Sequence, residues 1–125
     1  MEISGLYIYV DGSDLEEVSE QIESSLVEWL ASNSMEANVV NHQHERTPDL
    51  SPEDYADWDL GLNITIGQIN FLPELLDHTY GLALKHNRDF VVGYYSEASG
   101  ISEDITFFGA ESGKPKTEQI TEFLK

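Results

Sequence analysis

Between Leu60 and Gly67 the chain alternates cleanly: Leu60, Leu62, Ile64 and Ile66 at one parity, Gly61, Asn63, Thr65 and Gly67 at the other. Strand side chains point to opposite faces in turn, so this segment owns one face for a core and one small, polar face. A half-buried strand of this kind belongs in a sheet covered on one side, and the cover must be apolar. Its polar face, with two glycines, either lets a ligand or another backbone approach closely or is an ordinary solvated sheet face.

The cover is legible on either side of that strand. Leu15, Val18, Ile22, Leu26, Trp29 and Leu30 recur at helical spacing, and Ser13-Asp-Leu-Glu16 has the form of a capping box. A first helix is therefore predicted from about Asp14 to Ser32. A second begins near Asn70–Pro73, presents Leu72, Leu75, Leu76, Tyr80, Ala83 and Leu84, and stops at Asn87. Lys85, His86 and Arg88 gather at its C-terminal end, where the helix dipole favours cations. Further strands are predicted at residues 6–10, 37–44, 89–95 and 103–108. A loop runs from Arg46 to Asp59, and a short C-terminal helix starts at Thr117 with Ile120, Phe123 and Leu124 inward.

The order β-α-β-β-α-β-β-α predicts a single α+β domain over residues 1–125. Its first six elements match a ferredoxin-like antiparallel sheet with two helices on one face, to which a C-terminal strand and helix are added. A length of 125 residues fits one core.

Charge narrows the function classes. The chain has 24 acidic and 6 basic residues, a formal net charge of −18. Nucleic-acid backbones and anionic membrane surfaces both require clustered Lys and Arg, so neither is an expected partner. The excess is uneven: residues 1–84 hold 17 acids against Arg46 alone, net −16, while residues 85–125 hold 7 against 5, net −2. The N-terminal Met-Glu-Ile-Ser-Gly lacks the form of a secretory signal, and no apolar run spans a membrane, which predicts a cytoplasmic protein.

Two segments concentrate the acids. One is the outer side of the first helix, with Glu16, Glu20 and Glu23; the other is the loop carrying Asp49, Glu53, Asp54, Asp57 and Asp59 together with Tyr55 and Trp58. Two large rings among carboxylates suit a docking surface, since Trp and Tyr are enriched among interface hot spots and acids steer a cationic partner. The same loop also reads structurally. Ser51-Pro-Glu-Asp54 resembles the first turn of a short helix, and Trp58 could cap the core. The helix glutamates, likewise, read as a solvated face or as part of the interface.

Signatures of chemistry are sparse. With no cysteine there is no disulfide, thiol nucleophile or thiolate metal site. His42 and His44 share a strand face and could hold zinc or iron with a carboxylate, but they read as ordinary strand-surface histidines. The aspartates of the loop lack the calcium-loop pattern. No phosphate-binding loop, dinucleotide fingerprint or nucleophile elbow is present. Asp104 or Glu111 could pair with a histidine for acid–base work, though no spacing brings them together. The expectation is a non-enzymatic protein without metal or cofactor.

In its small size, strong acidity, lack of a catalytic signature and aromatic-bearing acidic segment, the chain resembles the immunity proteins of bacterial toxin–immunity pairs, including those of contact-dependent growth inhibition. That resemblance implies a cognate basic toxin domain, often a nuclease, bound in the cytosol and inactivated by occlusion. A small enzyme or ligand-binding domain and a nucleic-acid mimic are the other classes open to such a sequence.

Overall fold

Leu6, Ile8 and Val10 are buried while Tyr7 and Tyr9 between them are half-buried and Asp11 is exposed, so the first strand already distinguishes two sides. The computed structural model describes residues 3–11, 15–43, 58–68 and 72–123. Its strands are β1 (Gly5–Asp11), β2 (Asn38–Gln43), β3 (Trp58–Thr65), β4 (Asp89–Ser96) and β5 (Ile101–Gly109); its helices are α1 (Ser19–Ser32), α2 (Leu72–His86) and α3 (Thr117–Phe123). The strands form one antiparallel sheet in the order β2-β3-β1-β4-β5. The protein is thus α+β. Each strand–helix–strand unit skips a place: β3 lies between β1 and β2, and β1 lies between β3 and β4.

One sheet face carries Leu6, Ile8, Leu60, Leu62, Ile64, Phe90, Val92 and Phe108, all fully buried. α1 covers β2 and β3, and α2 covers β4 and β5. The helices meet where Trp29 stacks on His78, centroids 5.7 Å apart, and Ser25 Oγ lies 3.1 Å from His78 Nε2. Burial lowers the His78 pKa, and the Ser25 hydrogen bond works against it. No described helix is long and apolar enough to cross a membrane.

Several boundaries differ from the sequence expectation. α1 begins at Ser19 rather than Asp14, because the Leu15 carbonyl accepts from both Val18 N–H (3.1 Å) and Ser19 N–H (2.8 Å) in a tight turn ahead of the helix. Leu15 and Val18 are buried from that turn. The expected capping box at Ser13 lies outside the described residues. Ile66 is 45% exposed instead of buried: the chain leaves the ladder after Thr65, Ile66 N–H bonds to Ser4 O at 2.9 Å, and a 3-10 turn follows over Ile66–Gln68. On α2, Leu84 faces out at 52% exposure, and Leu82 and Thr79 face in. The inward threonine satisfies its hydroxyl on the Leu75 and Leu76 carbonyls, each at 3.0 Å. β5 is longer than the predicted 103–108, and Trp58 and Asp59 belong to β3 rather than to the preceding loop. In the C-terminal helix Ile120 is fully buried; Leu124 and the side chain of Phe123 lie outside the described residues.

Both long helices close in the same way. Asn87 takes φ 54° and Arg88 N–H reaches back to Ala83 O at 2.9 Å; Ser34 takes φ 51° and Met35 N–H reaches Leu30 O at 3.0 Å. These left-handed caps satisfy carbonyls that the helix ends would otherwise leave open.

The difference between the two sides can be measured. Ile8→Ala should lower the unfolding free energy by about 2–5 kcal/mol through lost burial and a cavity. Leu84→Ala, on an exposed helix face, should change it by no more than about 0.5 kcal/mol. Urea titrations of the two variants check the assignment, and similar losses in both would contradict it.

Candidate functional site

The sheet face turned away from the helices is built from the other parity. On it lie Tyr7 and Tyr9 of β1, Asn63 and Thr65 of β3, Val91 and Tyr95 of β4, and Ser102 and Asp104 of β5. These residues line an open depression of about 890 Å³, with Glu36 and Glu97 on its margin.

Its floor is made by tyrosines lying across glycines. Tyr7 stands directly opposite Gly93, Tyr9 opposite Gly61 and Tyr95 opposite Gly5. A β-carbon at Gly93 would sit 2.1 Å from the end of the Tyr7 ring; at Gly61, 2.7 Å from the Tyr9 ring; at Gly5, 2.5 Å from the Tyr95 hydroxyl. At Gly93 the Tyr7 ring is the first obstacle to a side chain, whereas at Gly61 and Gly5 the Ile8 and Ile64 carbonyl oxygens come closer still, at 1.9 and 2.2 Å, with the Tyr9 and Tyr95 rings beside them. Tyr7 and Tyr9 are also neighbours, with centroids 5.3 Å apart and planes tilted by 32°.

Hydrogen bonds pin these rings. Tyr9 donates to Asn63 Oδ1 at 2.8 Å, and Tyr7 donates to Asp104 Oδ1. The second contact depends on an irregularity in β5. Val92 pairs with Thr106, but Gly93 pairs with Asp104, so Ile105 is an extra residue. The bulge brings Asp104, not Ile105, opposite Gly93 and beneath the Tyr7 hydroxyl. On the core side, the Tyr94 hydroxyl donates to Glu103 Oε2 at 2.9 Å.

Electrostatically this face is one-signed. The five strands contain no Lys or Arg, and they hold Asp11, Asp59, Asp89, Glu103 and Asp104. By register, Asp11, Asp59, Asp89 and Asp104 share the tyrosine side. Of the described cations, Lys85 lies in the last turn of α2, Arg88 follows that helix, and Lys114 and Lys116 follow β5, so Arg88 and Lys114 fall near the Asp89–Gly109 end of the sheet. The depression extends toward the opposite end, where Gly5 meets Tyr95. At the basic end Asp89 ties down the turn after β5. It accepts from Glu111 N–H (2.9 Å), Ser112 N–H (3.3 Å) and Ser112 Oγ (2.7 Å). Burial alone would raise its pKa, but these bonds outweigh it and hold the carboxyl below its usual range.

The tyrosines are not poised for proton transfer. Burial, then the Asp104 hydrogen bond and charge, drive the Tyr7 phenol far above its ordinary range. Burial raises Tyr9 as well, and burial and Glu97 raise Tyr95. At neutral pH the face presents neutral rings, carboxylates and amide or hydroxyl oxygens, a surface rich in acceptors.

The residues singled out from sequence are distributed differently. Asp49, Glu53, Asp54, Tyr55 and Asp57 lie outside the described residues, as does His44. Trp58 opens β3, its backbone paired with Gln43. Asp59 is partly buried and stands opposite His42 on the tyrosine side of the sheet. Glu16 and Glu20 are exposed, but α1 lies against the other sheet face, so they do not join the depression. Glu23 is half-buried and accepts from Asn41 Nδ2 at 3.2 Å. Among the described residues no three His, Asp or Glu side chains group as a metal site. Asp104, considered above as a partner for a histidine, bonds Tyr7 instead. Tyr7, Tyr9 and Tyr95 were not singled out; the available signal was the tyrosine–isoleucine–tyrosine alternation, but its glycine partners are distant in sequence.

Two measurements probe this arrangement. Gly93→Ala places a β-carbon into the Tyr7 ring and should destabilise the fold by about 1–3 kcal/mol, the range for overpacking; a loss near zero in urea would mean the ring does not lie there. Phenols that ionise less readily folded than unfolded support the native state fully below the unfolded pKa of 10.0 and lose that support as pH rises beyond it. The urea midpoint should therefore fall between pH 10 and roughly pH 11, and fall less steeply in Tyr7→Phe. Equal slopes in both proteins would remove Tyr7 as the cause.

No known protein family, curated protein or solved structure matches this chain.

Proposed function

We propose that this chain is an acidic inhibitor that binds a basic protein and neutralises it by occlusion, as the immunity proteins it resembles do for their toxins. It acts in the cytoplasm, as a binding protein and not an enzyme, without a cofactor. The observation that carries this reading is the open sheet face: three half-buried tyrosines with carboxylates among and around them, on strands that contain no base. Such a surface offers rigid aromatic area at little conformational cost and a field that accelerates encounter with a cation. A toxin that acts on nucleic acid needs a basic cleft to hold phosphates, and an anionic face competes for that same cleft. With their pKa raised, the phenols stay protonated and uncharged at neutral pH and offer the partner neutral aromatic area. The acid-rich segment around Tyr55 adjoins β3 in sequence.

The skipped strand places support a finer reading of the architecture as well. The order β2-β3-β1-β4, with one helix in each crossover, is the interleaving of a ferredoxin-like split βαβ pair, with β5 and α3 appended.

Affinity capture from native cells tests the interface. Wild type should retain a basic protein, less of it as salt rises. Glu97→Lys/Asp104→Lys should weaken capture at least about tenfold, and Glu16→Lys/Glu20→Lys on the opposite side should weaken it much less. Asp54→Lys/Asp57→Lys and Trp58→Ala report on the neighbouring segment. Equal capture by wild type and the Glu97/Asp104 double variant at low salt would exclude the tyrosine face.

A further inference from the structure

The depression on the open face has chemistry more specific than a diffuse negative field. We propose that it is an arginine site: a guanidinium projecting from the basic partner stacks on the Tyr7–Tyr9 pair and is held by the carboxylate of Asp104, while Glu97 and Glu36 at the margin add to the negative field. The inference rests on the binding role proposed above and names the group that the face recognises.

Three features favour this occupant. First, the rings are fixed before anything binds. Tyr7 lies across Gly93 and Tyr9 across Gly61, and each hydroxyl proton is already spent, on Asp104 and on Asn63. Both rings line the depression, Tyr7 with its end over Gly93, so a planar cation meets aromatic side chains that are already pinned. Second, the charges lining the space are all of one sign. Glu36, Glu97 and Asp104 are exposed at its edge, and no Lys or Arg is among the described residues that line it. Tyr7 engages Oδ1 of Asp104, which leaves Oδ2 as an acceptor for an incoming N–H. Third, the volume of about 890 Å³ exceeds one side chain, so it takes the arginine together with neighbouring residues of the partner's surface.

Lysine suits the site less well. An ammonium is a compact, strongly hydrated charge that loses more on leaving water, whereas guanidinium is weakly hydrated, stacks on aromatic rings and donates along its edge. A neutral isostere such as citrulline keeps the shape and loses the charge.

The test uses the intact protein with ring-labelled tyrosine, followed by NMR during titration with acetyl-Gly-Arg-Gly-Arg-Gly-amide and with its lysine and citrulline counterparts at equal ionic strength. The arginine peptide should shift Tyr7, Tyr9 and Tyr95 saturably. It should bind about three- to fivefold more tightly than the lysine peptide, the margin expected of cation stacking at an exposed site. The citrulline peptide should leave the rings unmoved. Asp104→Asn, which keeps the acceptor for Tyr7 and removes a charge, should weaken the arginine peptide while the tyrosine spectrum stays native-like. Equal arginine and lysine affinities, or shifts that bypass these three rings, would overturn the arginine site. If the Glu97/Asp104 charge reversal still abolished capture of a basic protein, the inhibitor reading would survive that result. If capture were also unaffected, both would fall.

Discussion

A sheet covered on one side must solve a problem on the other, and here the solution is tyrosine laid over glycine. The helices cover one face with a continuous apolar layer. Among the described residues no helix covers the opposite face, and bare strands exposing backbone and rings are prone to pair or slip. Three directly opposed tyrosine–glycine pairs cover that backbone from within the sheet. The register of β1 against β3 and β4 is thereby tied to side-chain shape on both sides. A slip of one residue would bury Tyr7 and Tyr9 against the helices and expose Leu6 and Ile8.

Carboxylates would seldom be tolerated in such numbers on one surface without a compensating role. Mutual repulsion costs stability, and here it is borne with no intervening Lys or Arg in any strand. Tyr7 and Asp104 show how part of the arrangement sustains itself. The phenol donates to the carboxylate, the carboxylate keeps the phenol protonated, and the β5 bulge holds them together. The result is a platform whose rings are pinned by hydrogen bonds and whose carboxylates stand at its edge.

The division between the two ends of the sheet adds direction. Bases follow α2 and β5, near the end that Asp89 organises, and the depression extends toward the other end. In the binding role proposed above, this division would draw a cationic partner toward the depression and turn it away from the basic end.

Much of the fold was written locally. The alternation of Leu60, Leu62 and Ile64, the helical stripes ending at Leu30 and Ala83, and the Asn87 stop each express a period or a backbone preference that a few neighbouring residues decide. The charge imbalance was equally plain. The site was not, for its parts are far apart in the chain: Tyr7 meets Gly93 and Asp104, Tyr9 meets Gly61 and Asn63, and Tyr95 meets Gly5. Attention went to the rings and acids that lie close in sequence, Tyr55, Trp58 and the aspartates between Pro48 and Leu60. Ile66 and Leu84 were misplaced because a period says nothing about where a strand leaves its ladder or which flank of a helical stripe the sheet covers. Strand pairing and the bulge at Ile105 brought the parts of the site together, and both rest on hydrogen bonds between segments that no local pattern connects.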